Sequence, residues 1–86
     1  MTGYVGILDG SNDVWGVRVP DLSGCHGGGL SPEQAIADAE LAVREWTEAR
    51  MAKRLPIPKP RALVALLRSG EIDSANGDSA VIVRQR

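Results

Sequence analysis

The chain has 86 residues, ten Lys and Arg against eleven Asp and Glu, and a formal charge of −1, so it lacks the basic excess that phosphate-driven nucleic-acid binding requires. A hydrophobic fraction of 43% excludes wholesale disorder, and the one cysteine excludes an internal disulfide. No apolar run reaches the roughly 18 residues of a membrane span and no basic, then apolar leader opens the chain, which makes a reducing cytoplasm the expected compartment.

A chain this short makes one small domain over 1–86, and such a domain buries only about 60% of its unfolded surface, so association with other chains is favoured. Tyr4-Val5-Gly6-Ile7-Leu8 is a run of strand formers ended by the turn residues Asp9 to Asp13. Val14 to Val19 follows, and the two runs predict a β-hairpin with a loop of about five residues. In the second run Trp15, Val17 and Val19 alternate with Gly16 and Arg18, the period of a strand with one buried face. The first run is apolar on both faces, Val5 and Ile7 one way, Tyr4 and Leu8 the other.

Pro20 has no amide hydrogen and stops the second strand. Asp21 and Ser23-Gly24 then turn the chain, and Gly24 with the run Gly27-Gly28-Gly29 bends a short third strand around Cys25-His26. Ser31-Pro32-Glu33-Gln34 reads as a capping box, Ser31 accepting from the amide of Gln34 and Gln34 reaching back to Ser31, with Pro32 at the first helical position. Ala35, Ile36, Ala39, Ala42, Val43, Trp46 and Ala49 form the apolar stripe of the helix that follows. Asp38, Glu40, Arg44, Glu45, Glu48 and Arg50 lie opposite, with Glu40 and Arg44 spaced for an ion pair.

Lys53 and Arg54 close that helix, and Pro56, Pro58 and Pro60 impose an extended connector. Pro60 is placed to start a second helix with Leu63, Val64, Leu66 and Leu67 on its apolar face and Gly70 as its cap. After a polar turn at Asn76-Gly77-Asp78, Ala80 to Val83 is a last strand, again apolar on both faces. The order β-β-β-α-α-β is that of an α+β domain. Its last strand is expected parallel beside the first, giving a four-stranded mixed sheet with helices on one face.

These residues together resemble the HicB family of bacterial antitoxins: Tyr4 to Leu8, the turn Val19-Pro20-Asp21-Leu22-Ser23-Gly24-Cys25, the glycine step, Ser31-Pro32-Glu33-Gln34-Ala35 and Ile57-Pro58-Lys59-Pro60. The likeness runs in order over nearly the whole chain, with Pro20, Asp21, Gly24, Ser31, Gln34 and Pro58 as its motif positions. It implies a partial RNase H-like fold that binds and silences a HicA-type toxin, a small ribonuclease that cuts messenger RNA. Many such antitoxins carry a C-terminal DNA-binding domain. This sequence ends at Arg86, just past the predicted last strand, so no such domain is expected and DNA binding by this chain alone is not anticipated. A free-standing regulatory or scaffolding module of the same fold is the alternative function.

An RNase H-like fold raises the question of a metal-dependent nuclease, whose carboxylates must converge from strand and helix. Tyr4 to Leu8 contains none, and Asp9 and Asp13 read as turn formers. Cys25 and His26, adjacent on a strand and without a second Cys or His, read as packing rather than as a metal site or catalytic pair. The triple glycine lacks the spacing of a phosphate loop and reads as a flexible turn, while Trp15 and Trp46 read as core. No catalytic residue, metal or cofactor is expected.

The acidic helix face, Asp38, Glu40, Arg44, Glu45 and Glu48, is the candidate toxin contact, since RNA-cutting toxins are basic. Tyr4, Leu8 and Ile82, on strands apolar on both faces, are, with the exposed sheet edge, the candidate contacts of a homo-oligomer, a dimer or tetramer, or of the toxin.

Overall fold

A computed structural model describes residues 3–85. Strands β1 (Gly3–Ser11), β2 (Val14–Arg18) and β3 (His26–Gly29) are followed by helices α1 (Pro32–Ala52) and α2 (Leu63–Arg68), a 3-10 turn at Ser74–Asn76, and strand β4 (Ser79–Arg84). They form one four-stranded sheet in the order β3-β2-β1-β4. The α+β order is the expected one, and two features of the sheet are not.

All pairings are antiparallel, including β1 with β4, where Tyr4 faces Val83 and Leu8 faces Ser79. The expected mixed sheet assumed a single crossover. Instead the chain traverses the sheet twice, once along α1 and once through α2 and the turn after it. It therefore re-enters at the end where β1 finishes and runs back.

The helices also occupy both faces. α1 lays Ala35, Ala39 and Val43 over Tyr4, Val17, Val19, Leu22, Cys25 and Val83 in the larger core. Leu66 of α2 and Ile72 cover Val5 and Ile7 on the other side. The double-sided apolar character of β1 is thus satisfied within the chain, because leaving Val5 and Ile7 wet would forfeit about 1.5–3 kcal/mol each.

The β1-β2 loop is two residues, Asn12 and Asp13, between the paired Ser11 and Val14, not the five expected. Asn12 adopts a left-handed φ of 55°, which asparagine tolerates better than most residues. Trp15 donates its indole N–H to the Asn12 carbonyl at 2.8 Å and lies half-buried over Gly10.

β3 forms where a third strand was expected, and it is the glycines that build it. A Cβ on Gly27 would collide with the backbone of Ala39, and one on Gly29 with Gln34 and Ala35. These two glycines face α1 and let the helix backbone lie directly on the strand, a close approach that only a missing side chain permits. The run is a packing surface rather than a flexible turn.

α1 begins at its predicted cap: the Gln34 amide donates to Ser31 Oγ at 3.2 Å, while Gln34 Oε1 accepts from Leu30 N–H at 3.0 Å, one residue earlier than Ser31. Thr47 is buried in the stripe, donating to the carbonyls of Val43 and Arg44, and Ala49 is exposed. The helix ends in a Schellman turn in which Leu55 N–H returns to the Arg50 carbonyl at 2.9 Å, with Arg54 left-handed at φ 56°. α2 ends in the same way at Gly70, φ 79°, with Glu71 N–H on the Leu66 carbonyl. It starts at Leu63 rather than at Pro60, because Ala62 is extended, with φ −70° and ψ 153°, and stands as its N-cap.

Candidate protein-interaction surfaces

The motif segment between β2 and α1 is a closed loop. Val19 N–H donates to the Cys25 carbonyl at 3.0 Å, Leu22 N–H to Val19 and Cys25 N–H to Leu22, with Gly24 supplying a left-handed φ of 78°. Leu22 and Cys25 are buried, and burial pushes the Cys25 thiol above its ordinary pKa. His26, one residue on, is exposed. The two side chains point apart and make no joint site, and no cluster of three metal-ligating side chains occurs among the described residues.

Asp21 anchors the proline connector to this loop. The Asp21 carboxylate, 3% exposed, accepts from Arg61 N–H at 2.7 Å and from Arg61 Nε at 2.5 Å. Arg61 then clamps Glu71 with both terminal nitrogens at 2.8 and 2.9 Å, and Glu71 also accepts from Ser69 Oγ. This guanidinium and the Ser69 hydroxyl hold Glu71 down to about 2. Earlier in the connector, the Pro58 carbonyl accepts the Tyr4 hydroxyl at 2.6 Å. Of the motif positions, Asp21 and Pro58 thereby tie the connector to the sheet and its loop, while Gly24 shapes the loop itself. Arg61 is the residue sequence reasoning missed here; its only signal was a cation beside the last proline.

The acidic face of α1 is where the sequence placed it, with one exception. Asp38 turns its carboxylate to the edge of the sheet and accepts from Gly28 N–H at 2.9 Å. It is an internal cap, so it is less free for a partner than its exposure suggests. Glu45 and Glu48 are exposed, Glu40 is half-buried, and Arg44 reaches forward to Glu48 at 3.7 Å. Leu41, 58% exposed, stands among them, beside a shallow groove lined by Ala37, Glu40 and Arg44. Leu41 was missed because it falls outside the helical stripe, and that mismatch was itself the signal. The result is an apolar point ringed by mostly negative charge, a form suited to a basic protein surface.

The candidate oligomer contacts divide. Tyr4, 1% exposed, lies under α1, and Leu8 packs partly on the same core. Both are corrected to internal positions, since β1 turns them toward the helix. Ile82 is on the opposite face and 60% exposed. Beside it α2 presents Leu63, Val64 and Leu67, which were expected to pack inward and are 41 to 52% exposed. Only Leu66 of that helix is buried, because six residues offer a single inward turn. Trp46 is likewise half-buried rather than core; its indole donates to the Ser23 carbonyl at 3.0 Å and Arg50 covers its ring at 4.6 Å.

A family model described as the HicB-like antitoxin of bacterial toxin–antitoxin systems matches residues 4–82. No curated protein matches the chain. Among solved structures, the N-terminal domain of Burkholderia pseudomallei antitoxin HicB superposes with a TM-score of 0.81 at 20% identity over 99% of each chain. A chain of the HicA3 and HicB3 toxin–antitoxin complex gives 0.78 at 20% identity, again over 99% of both. The Burkholderia pseudomallei antitoxin HicB gives 0.74 at 21% identity, and there the present chain spans 63% of its length. At these identities the likeness is one of fold.

Proposed function

The chain belongs to the HicB-like antitoxin family, and from that premise we propose that it binds and neutralises a HicA-type ribonuclease toxin without catalysing a reaction itself. The carrying observation is the extent of the family match, which takes in every element from β1 into β4. The solved complex of HicA3 with HicB3 supports the choice of partner. The helical face with Leu41, Glu45 and Glu48 supports the mode: a toxin that grips RNA must present cationic groups, and this face offers carboxylates in place of phosphates. Among the described residues no helix is long and apolar enough to cross a membrane, and we place the pair in the cytoplasm, where messenger RNA is cut.

Co-expression with the cognate toxin tests the function: growth is restored if the reading is right, and continued lethality defeats it. The face is tested by Glu45→Lys with Glu48→Lys. Both side chains are exposed, so folding is retained while toxin affinity falls by about tenfold or more at low salt, and the gap narrows as salt screens the charges. Unchanged affinity at low salt moves the contact elsewhere.

A further inference from the structure

The charge on α1 changes sign along its length. Carboxylates dominate its exposed side as far as Glu48, and no further carboxylate occurs until Glu71, across a span that holds six cations. Of these, Arg61 is spent on Asp21 and Glu71. Trp46, Arg50 and Lys53 recur at helical spacing and share one face of α1, where with Ala49 and Leu55 they line a groove of about 350 Å³. Ala49 and Leu55 are exposed and give it an apolar wall. Arg50 lies over the Trp46 ring at 4.6 Å and Lys53 is exposed, and among the described residues neither meets a carboxylate. The last carbonyls of the helix do not consume these cations either. Ala49, Arg50 and Met51 accept from the N–H groups of Lys53, Leu55 and Arg54, so the chain caps the negative end of its own dipole. The Trp46 indole is pinned to the Ser23 carbonyl at 3.0 Å, which fixes this wall of the groove against the motif loop.

We propose that the C-terminal end of α1 is a docking site for an acidic segment of another protein, its carboxylates bonding Arg50 and Lys53 and an apolar side chain resting beside Trp46 and Leu55. Two cations without acidic partners on one helical face match carboxylates spaced along a peptide, and hydrogen bonds between ionised groups are the stronger kind. The groove has the size of a side chain or two, and its aromatic and apolar lining gives such a side chain a dry contact. Nucleic acid fits less well. Single strands are gripped by stacking bases on open aromatic faces, whereas the Trp46 ring already carries Arg50 and packs against the larger core. The partner is opposite in charge to the one suited by Leu41, Glu45 and Glu48, so the two stretches of the helix select different neighbours. The inference does not depend on the toxin reading.

Nuclear magnetic resonance titration of the labelled full chain tests it, with a blocked peptide in which leucines are flanked by glutamates as the probe. The Trp46 indole signal and the amides of Arg50, Lys53 and Leu55 are expected to move, while the Trp15 indole, bonded within the β1-β2 turn, stays. Exchanging the glutamates for glutamines should weaken binding at least tenfold at low salt, and exchanging the leucines for serines should weaken it too. Arg50→Glu with Lys53→Glu should lose the glutamate peptide at least tenfold and take up its lysine counterpart instead. Should that double variant unfold, Lys53→Glu alone, at an exposed position, still has to weaken binding several-fold. A Trp46 signal unmoved at millimolar peptide overturns the proposal, as does a glutamine peptide that binds equally or a folded variant that binds undiminished. So does an oligouridylate that moves the Trp46 signal at lower concentration than the peptide, which would give the groove to nucleic acid. A Trp46 shift on concentrating the protein alone would give it to a second copy and overturns the proposal as well.

Discussion

Replacing Gly27 by alanine tests the strongest structural claim, that the glycine run exists to bring α1 onto the sheet. A Cβ at Gly27 would fall 2.7 Å from the Ala39 Cα and 2.8 Å from the Asp38 carbonyl carbon. Both are helix backbone atoms, so no rotamer change relieves the contact. The Ala39 amide nitrogen lies nearer still, ordinary contact begins near 3.4 Å, and α1 must retreat by roughly an ångström. That retreat loosens Ala35, Ala39 and Val43, each fully buried. Overpacking costs about 1–3 kcal/mol, and with the lost contacts around it the upper end, about 3 kcal/mol, is expected. A domain stabilised by roughly 0.05–0.15 kcal/mol per residue loses a large share of its margin. Gly28→Ala is the control, because a Cβ there meets only the Trp15 carbonyl oxygen at 3.4 Å; its effect should stay within about 0.5 kcal/mol. Urea unfolding followed by tryptophan fluorescence reads both. If the two variants unfold within about 1 kcal/mol of each other, close helix approach is not what the glycine provides.

Two further predictions concern the helix end and the clamp. Arg54 pays for its left-handed φ of 56° with a Cβ clash that glycine avoids, so Arg54→Gly should raise stability by about 0.5–1 kcal/mol, seen as a higher urea midpoint at unchanged slope; a lower midpoint would contradict it. Glu71 is held at about 2, against 4.5 for a free glutamate, by Arg61 and Ser69. Because the folded value is the lower one, its stabilisation is complete above about pH 4.5 and disappears as pH falls through 2. The gap in urea midpoint between wild type and Glu71→Gln should therefore close on acidification, and a gap independent of pH would remove the pair as its source.

Local chemistry was legible in the sequence wherever one residue type has one use. Ser31 and Pro32 marked the start of α1, Gly70 marked the end of α2, and the alanine stripe marked the buried side of α1. What failed to show was anything set by two distant segments at once. The direction of β4 depends on how many times the intervening chain crosses the sheet, and no window of residues records that. The glycines of β3 looked like a turn because their reason, the backbone of Ala39, lies twelve positions away. Arg61 looked like a solvated cation because Asp21, its acceptor, is forty positions earlier. Of the candidate site, Glu45 and Glu48 were readable from helical periodicity alone. Asp38 was not, since its role is fixed by a strand amide on the neighbouring element.

The same contact links the packing of the fold to its proposed partners. Glycines at 27 and 29 draw α1 onto β3, and that closeness puts Asp38 within reach of Gly28 N–H, so one edge of the sheet is closed as a by-product of helix packing. α1 meets β4 through the face of the sheet, at Val81 and Val83. α2 is only six residues long and is pinned at its start by Arg61, leaving Leu63, Val64 and Leu67 exposed. The charged outer side of α1 and the exposed apolar side chains of α2 beside Ile82 are consequences of one asymmetry, a long helix on one face and a short one on the other. The first surface suits a basic partner recognised through charge.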